Sequence, residues 1–302
     1  MKKKRIWGGL LVLILLTAVL LQGCQARSTK QTVSANGKIQ IVSSLDFYGQ
    51  VAKQVAGRYG HVTSIINNPA IDPHDYNPTT DNAKAVSKAQ VVLYNGLGYD
   101  DWMPRLINAT NSPKWTLAIG TQLLHKKDGA NEHVWYEPTT MIKLTKWLVK
   151  TDSKIDPAHK STFEQNGQAY LQTLKPLQQQ IQRLKQHSHH QKVAVSEPVF
   201  NYSLSAMGYR ISNEHFAKAI ENGTDPSPAD IAAMQKDIKQ HKIAFFVENT
   251  QTDDTVIRNM VKLCKQYKVP VVKVTETLPA HMTYQEWMTK QYDQVEKIQN
   301  KE

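Results

Sequence analysis

Apolar and polar residues follow two different periods along this chain. Apolar runs of about four to eight residues bounded by turn residues are typical of buried strands, and apolar spacings of three and four are typical of amphipathic helices. Up to Ile119 the two patterns alternate. Strands are predicted at 39–43, 62–66, 91–94 and 115–119, and helices at 47–59, 80–87 and 101–109. Strands separated by helices predict a mostly parallel sheet.

After Ile119 the alternation stops and long helices are predicted instead. One helix begins at Pro138, and a second runs from about Pro157 to His187. The apolar stripe of the second helix consists of Phe163, Tyr170, Leu174, Leu177, Ile181 and Leu184. These spacings fit one face of a single amphipathic helix. Pro176 should kink it, because proline has no N–H for the carbonyl four residues back.

The alternation resumes at Val193 and continues to the end of the chain. Strands are predicted at 193–196, 243–247 and 269–275 with an extended piece at 209–212, and helices at 198–207, 228–240, 254–267 and 284–298. The predicted fold class is α/β, with two lobes of mostly parallel sheet joined by one long helix. We assign residues 38–150 to an N-terminal lobe, 151–190 to the connecting helix and 191–302 to a C-terminal lobe. No internal sequence repeat relates the lobes.

The N-terminus has the pattern of a bacterial secretion signal. A basic segment, Lys2–Arg5, precedes an apolar run at 6–21 that is shorter than the ~20 residues needed to span a bilayer. The run ends in Leu-Gln-Gly-Cys, which resembles a lipobox, whose cysteine becomes the lipidated first residue of the mature protein. We therefore expect a signal peptide at 1–23, lipid attachment at Cys24 and a polar tether at 24–37. A retained membrane anchor is the alternative, and both place the rest of the chain on the extracellular face of the cell membrane.

Charge and cysteine content exclude several classes of protein. The net charge is +11, and four of the 37 basic residues lie in the expected signal peptide, which leaves 33 basic and 26 acidic residues. The lysines are scattered rather than clustered with aromatic residues, which argues against nucleic-acid binding. Besides Cys24 the chain has only Cys264, on the apolar face of a predicted helix. No disulfide framework or cysteine-based metal site can be built from these two residues.

Two of the eleven histidines have a distinctive context. His74 lies in a loop after a predicted strand, and His133 lies immediately before a predicted helix; each has acidic or proline neighbours. Such loops are where open α/β sheets bind ligands, and imidazole is the commonest metal-binding side chain. Roles for His215 and for the cluster His187, His189 and His190 beyond the long helix stay open. Four single histidines are expected to be solvated, and one more lies in a polar loop: His61, His159, His241 and His281, and His125.

Three stretches together resemble the cluster A-I metal-binding proteins of ABC importers, the zinc and manganese receptors that include some adhesin lipoproteins. They are Asp72-Pro73-His74-Asp75-Tyr76-Asn77-Pro78, Asn95-Gly96-Leu97-Gly98-Tyr99-Asp100-Asp101-Trp102, and His133-Val134-Trp135 with Pro138. The first and third resemble the family's two histidine ligand loops. The resemblance extends over essentially the whole chain, from the lipobox to the last helix.

The resemblance implies four metal ligands: His74 and His133 from the first lobe, and Glu197 and Glu276 from the second. Glu197 stands where zinc receptors of the family usually have histidine and manganese receptors have glutamate. Two neutral imidazoles and two carboxylates would neutralise a divalent cation, and oxygen donors suit manganese. The loop 121–132 lacks the histidine-rich insertion common in zinc receptors. We therefore expect Mn²⁺, with Zn²⁺ as the alternative, and no catalytic cofactor.

Departures from the family pattern concern residues near the histidines and one of the implied ligands. Asn77 replaces a usual glutamate, the pair Asn131-Glu132 replaces an Asp-Pro or Asn-Pro pair, and Glu276 replaces a commoner aspartate. Hydrogen bonds from such neighbours fix the ring of a metal-binding histidine. The sequence alone leaves those hydrogen bonds open.

The predicted function is that of a monomeric, lipid-anchored binding protein that delivers its metal to an ABC importer permease and is not an enzyme. A surface adhesin without a transport role would share the lipid anchor. A zinc-dependent hydrolase would need an open metal position, and no His-Glu-x-x-His helix is present. Gly96 and Gly98 lack the third glycine of a dinucleotide fingerprint. The single long helix leads us to expect limited hinge motion between the lobes.

Overall fold

The computed structural model describes residues 37–110 and 115–301 of the 302-residue chain. The expected signal peptide at 1–23, the lipidation site Cys24 and nearly all of the expected tether lie outside these residues. Within the described ranges, none of the helices has the length and apolar character needed to cross a membrane.

The first sheet has four parallel strands in the order β2-β1-β3-β4. Its strands are β1 (Ile39–Leu45), β2 (Gly60–Ile66), β3 (Val91–Tyr94) and β4 (Trp115–Ala118), and its helices are α1 (Asp46–Ala56), α2 (Thr80–Lys88) and α3 (Trp102–Ala109). The two central strands, β1 and β3, are almost continuously buried. Burial on both faces is typical of strands in a parallel sheet that helices cover.

The second sheet also has four parallel strands, in the order β6-β5-β7-β8. Its strands are β5 (Lys192–Val195), β6 (Arg210–Ile211), β7 (Phe246–Asn249) and β8 (Val271–Val274). Its helices, numbered after the two long helices described below, are α6 (Asn201–Ala206), α7 (Glu214–Glu221), α8 (Pro228–Lys239), α9 (Thr255–Gln266) and α10 (Tyr284–Gln299). The relative strand order is the same in both sheets, although no repeat is visible in the sequence. The prediction of two α/β lobes with parallel sheets is confirmed.

Two long helices lie between the sheets in the chain: α4 (Thr140–Ile155) and α5 (Lys160–Gln186). The predicted apolar stripe of α5 is buried along its whole length, and the helix continues through Pro176. Asn166 on α5 donates to the Val55 carbonyl at 3.0 Å, and Gln180 donates to the Asp293 carboxylate of α10 at 2.7 Å. The helix therefore contacts elements of both lobes. The residue boundaries assigned to the lobes stay predictions.

One helix of the second lobe was not predicted. Helix α7 has only eight residues, and its buried side chains are Phe216, Ala217 and Ile220. The predicted helix at 198–207 is a 3₁₀ turn, Pro198–Phe200, followed by α6. Helix α7 matters for the site because its last residue is Glu221.

Candidate metal centre

Three of the four residues that the resemblance implied line one cleft, and the fourth, His133, is buried beside Glu276. His74 follows β2, and His133 directly precedes a 3₁₀ turn, Val134–Tyr136. Glu197 stands two residues after β5, and Glu276 two residues after β8. Ligand sites of parallel sheets form at the carboxyl ends of strands. The cleft has a volume of about 570 Å³, and His74, Glu197 and Glu276 line it.

The distances show how closely these side chains approach. His133 Nε2 lies 3.9 Å from Glu276 Oε1. The Asn249 amide donates to Glu197 Oε2 at 2.8 Å and lies 3.5 Å from Glu276 Oε2, so it joins the two carboxylates. The Tyr99 ring lies near both imidazoles, with its centroid 4.7 Å from that of His74 and 6.0 Å from that of His133. The fold thus brings the predicted residues together; their ligation of a metal stays a proposal.

Both imidazoles are held by the same local turn. Asp72 Oδ1 accepts from the backbone N–H of His74 at 2.9 Å and lies 3.0 Å from its Nδ1. Asn131 Oδ1 accepts from the backbone N–H of His133 at 2.9 Å and lies 2.8 Å from its Nδ1. In each case, a side-chain oxygen two residues earlier in the chain accepts a hydrogen bond from the Nδ1–H of the imidazole. In a neutral imidazole, that tautomer leaves the Nε2 lone pair free to bind a metal.

The departures at 77 and at the pair Asn131-Glu132 have different consequences. Asn131 does provide the hydrogen bond that orients the ring of His133, and its amide also donates to the Pro198 carbonyl of the second lobe at 2.7 Å. Asn77 donates at 3.3 Å to the Asp75 carbonyl within its own loop. Asn131 thus fills the orienting role that the sequence left open.

Two further glutamates belong to the site and were not predicted as ligands. Glu132 Oε1 lies 3.7 Å from His74 Nε2, and Glu221 Oε1 lies 3.6 Å from His133 Nε2. Ligand atoms of His74, Glu132 and Glu221 all lie within 4.8 Å of one another. Glu132 could have been noticed as the unusual neighbour of His133. No sequence signal pointed to Glu221.

The two imidazoles differ in protonation because their surroundings differ. Burial lowers the pKa of His133 to about 3, so this fully buried ring is neutral. Burial also opposes the charge on His74, but the carboxylates of Asp72 and Glu132 outweigh it and raise its pKa to about 10. Without metal, His74 is therefore the cation that balances the acidic cluster.

The carboxylates respond to the same forces. Burial raises the pKa of Glu276 to about 7, and burial also raises the pKa of Glu197 although Thr252 and Asn249 donate to it. Burial and the adjacent carboxylate of Glu132 raise the pKa of Glu221. Burial opposes ionisation of Glu132 as well, but its contact with His74 keeps its pKa below the usual range. Crowded carboxylates of this kind are stabilised by a bound cation.

The remaining candidate histidines lie elsewhere. His215 is exposed in the first turn of α7. His187, His189 and His190 are exposed beyond the C-terminus of α5, where His190 Nδ1 lies 3.2 Å from the Gly208 carbonyl oxygen. None of the four lines the cleft.

Known proteins resemble this chain over most of its length. The sequence profile of the family described as zinc-uptake complex component A, periplasmic (ZnuA), matches residues 41–298. The manganese-binding lipoprotein MntA of Halalkalibacterium halodurans is 28% identical over 78% of this chain and 79% of its own length. The metal ABC transporter substrate-binding lipoprotein ScbA of Streptococcus cristatus is 26% identical over 86% of each chain. The solved structure of the periplasmic zinc-binding protein TroA of Treponema pallidum has the same fold, with a TM-score of 0.70 and 20% identity over 87% of this chain and 99% of its own.

Proposed function

This chain belongs to the zinc-uptake complex component A (ZnuA) family, and from this premise we propose that it captures a divalent transition metal outside the cytoplasmic membrane and delivers it to an ABC importer permease. The relatives MntA and ScbA are named as lipoproteins, which supports the lipid anchor expected at Cys24. ScbA is named as a metal transporter's substrate-binding protein, which supports the permease as partner.

One observation carries the proposal. His133 Nε2 is fully buried and has no hydrogen-bond partner among the described residues. It faces the carboxylate oxygens of Glu221 at 3.6 Å and Glu276 at 3.9 Å. A buried acceptor surrounded by acceptors costs about 1–3 kcal/mol unless something pairs with it. A cation bound to this nitrogen and to the carboxylate of Glu276 removes that cost.

The ligand set supports Mn²⁺ as the cargo, with Zn²⁺ as the alternative. We assign His74, His133, Glu197 and Glu276 as ligands, which gives two imidazole nitrogens and at least two carboxylate oxygens. Oxygen donors suit manganese, whereas zinc binds any such site tightly because affinity generally rises from manganese to zinc. MntA is named for manganese and TroA for zinc, so the names of these similar proteins permit either ion.

The competing functions receive no support. The family's description is that of an uptake component rather than an enzyme, and the zinc-dependent hydrolase is not proposed further. The similar lipoprotein ScbA is named for metal transport, so adhesion without transport is not favoured.

The test is metal binding and uptake. The purified protein, stripped of metal with a chelator, should bind one Mn²⁺ per chain in equilibrium dialysis. H133A should bind at least about 100-fold more weakly, since it removes the buried imidazole nitrogen from the ligand set. H215A, an exposed histidine away from the cleft, is the matched control and should bind normally. Cells that lack the protein should lose most high-affinity manganese uptake. Normal uptake of both Mn²⁺ and Zn²⁺ by those cells, or no binding of either ion by the purified protein, would overturn the proposal.

The packing between the lobes supports limited hinge motion. Phe47 of α1 lies 5.1 Å from Trp135 and 5.8 Å from Trp287 of α10 between ring centroids. Tyr136 lies 5.2 Å from Phe200 of the second lobe, and all these rings are buried. Wide opening would expose this aromatic core to water. Small-angle scattering should give nearly the same radius of gyration with and without metal, and a large contraction on loading would contradict limited motion.

A further inference from the structure

Helix α7 places a carboxylate in the cleft beyond the four ligands that the resemblance implies. We propose that Glu221 is a fifth protein ligand of the ion, so that the site prefers a metal that takes more than four ligands and favours oxygen. This inference rests on the proposed function and names the property by which the site would distinguish Mn²⁺ from Zn²⁺.

The first argument is the pairing of two unsatisfied atoms. Among the described residues, Glu221 Oε1 and His133 Nε2 are both buried polar atoms without a hydrogen-bond partner, and they face each other at 3.6 Å. The side chain of Glu221 is 7% exposed and that of His133 is 0% exposed. The Nδ1–H of His133 is directed at Asn131 Oδ1, so Nε2 offers a lone pair. Once Glu221 is ionised, these two acceptors repel each other unless a cation lies between them.

The second argument is the size of the gap. Nitrogen and oxygen ligands lie about 2.0–2.2 Å from a first-row divalent ion such as zinc, so two ligands of one ion are separated by about 3–3.6 Å at angles between 90° and 110°. The distance of 3.6 Å from Glu221 to His133 already fits an edge of such a polyhedron. The 3.9 Å from Glu276 to the same nitrogen needs a shift of a few tenths of an ångström.

The third argument is that the helix itself gains nothing from a carboxylate at this position. Glu221 is the last residue of α7, where the unpaired carbonyls of the helix disfavour negative charge. Phe216, Ala217 and Ile220 anchor the helix, and Gly223, with φ of +65°, turns the chain after it. A glutamate here is therefore explained by the cleft rather than by the helix.

Five protein ligands would change metal preference. Zinc sites in proteins are commonly four-coordinate. A site with more ligands, most of them carboxylate oxygens, suits manganese better than zinc. Glu221 would add its oxygen to those of Glu197 and Glu276, giving three carboxylates and two imidazoles. Removing it should hence cost Mn²⁺ more than Zn²⁺.

The experiment compares E221Q with E214Q in the full-length protein. Glu214 is an exposed carboxylate in the first turn of the same helix, so E214Q is the matched control. E221Q should weaken Mn²⁺ binding at least about tenfold and Zn²⁺ binding less than about threefold, measured by competition against a chelating dye. E214Q should leave both affinities unchanged. The absorption spectrum of bound Co²⁺ is an independent measurement. E221Q should convert the weak absorption of five- or six-coordinate Co²⁺ into the intense absorption of four-coordinate Co²⁺.

The outcomes separate this inference from the proposed function. If the wild-type protein binds neither metal, the proposed function fails. If it binds metal and E221Q keeps both affinities, or loses both by the same factor, the proposed function stands and the fifth ligand is refuted. E221D guards against a folding defect, because it keeps the carboxylate but shortens its reach. It should melt like the wild type without metal and still bind Mn²⁺ more weakly; unchanged Mn²⁺ affinity would also count against ligation.

Discussion

Replacing Asn131 with alanine should weaken metal binding although Asn131 is not a proposed ligand. Its side-chain oxygen accepts from the backbone N–H of His133 at 2.9 Å and from Nδ1 at 2.8 Å. Its amide donates to the Pro198 carbonyl at 2.7 Å. Alanine removes all three bonds, frees the imidazole to rotate or change tautomer, and leaves a buried Nδ1–H without an acceptor.

The magnitude follows from these contacts. Loss of the partner that orients a metal-binding histidine costs about 10–100-fold in affinity, which is about 1.4–2.7 kcal/mol. A buried donor left unpaired costs about 1–3 kcal/mol, and that cost falls on the metal-free protein as well. Asn131→Ala should therefore reduce both the metal affinity and the free energy of unfolding.

Asn131→Asp separates the two effects. Aspartate keeps an oxygen for the ring of His133 but cannot donate to Pro198, so the contact between the lobes is lost while the ring stays oriented. Metal affinity should stay within about threefold of the wild type, or about 0.7 kcal/mol, whereas the metal-free protein should unfold at a lower denaturant concentration. Calorimetric titration and denaturant unfolding measure the two quantities. Wild-type affinity in Asn131→Ala, or equal losses of affinity in both variants, would refute the role assigned to this side chain.

Three further predictions concern the buried Asp152, the protonated metal ligands and Gly120. Asp152 is buried on α4, neither carboxylate oxygen has a partner among the described residues, and burial raises its pKa to about 8. Because this native pKa lies above the unfolded value, the contribution of Asp152 to the free energy of unfolding is most favourable below about pH 4 and declines as the pH rises toward 8. Asp152→Asn should remove that decline, up to about 4 kcal/mol between pH 4 and 7, and denaturant unfolding that gives parallel pH profiles would contradict it. His74, with a pKa of about 10, and Glu276, with a pKa of about 7, must lose their protons to bind a metal. Affinity should thus fall about tenfold per proton for each unit of pH below neutrality, and a binding enthalpy that does not vary with the ionisation enthalpy of the buffer would speak against proton release. A Cβ on Gly120 would lie 2.4 Å from Leu97 Cδ1, so Gly120→Ala should destabilise the fold by about 1–3 kcal/mol; an unchanged melting temperature would show that Leu97 moves aside freely.

Local periods in the sequence account for most of the fold. Short buried strands and the apolar stripe of α5 are patterns within a few consecutive turns or strand residues, so they could be recognised without tertiary information. Helix α7 was not predicted, although helix α3 has the same length and was predicted. The matching strand order of the two sheets could not be predicted either, since it depends on which strands pair rather than on where they begin.

Part of the metal site could likewise be predicted from the sequence, and part of it could not. Its two histidines have a local signature of acidic and proline neighbours, and Glu197 and Glu276 followed from the resemblance of their segments to a known family. What the sequence determined by itself was thus a set of loops suited to metal ligands. Only the tertiary structure placed Glu221 of α7 against the buried nitrogen of His133, 3.6 Å away. The physical reason is that a metal site depends on the positions of nitrogen and oxygen ligand atoms in three dimensions. Residues far apart in the chain meet there because both sheets end at one cleft, and no period along the sequence records that meeting.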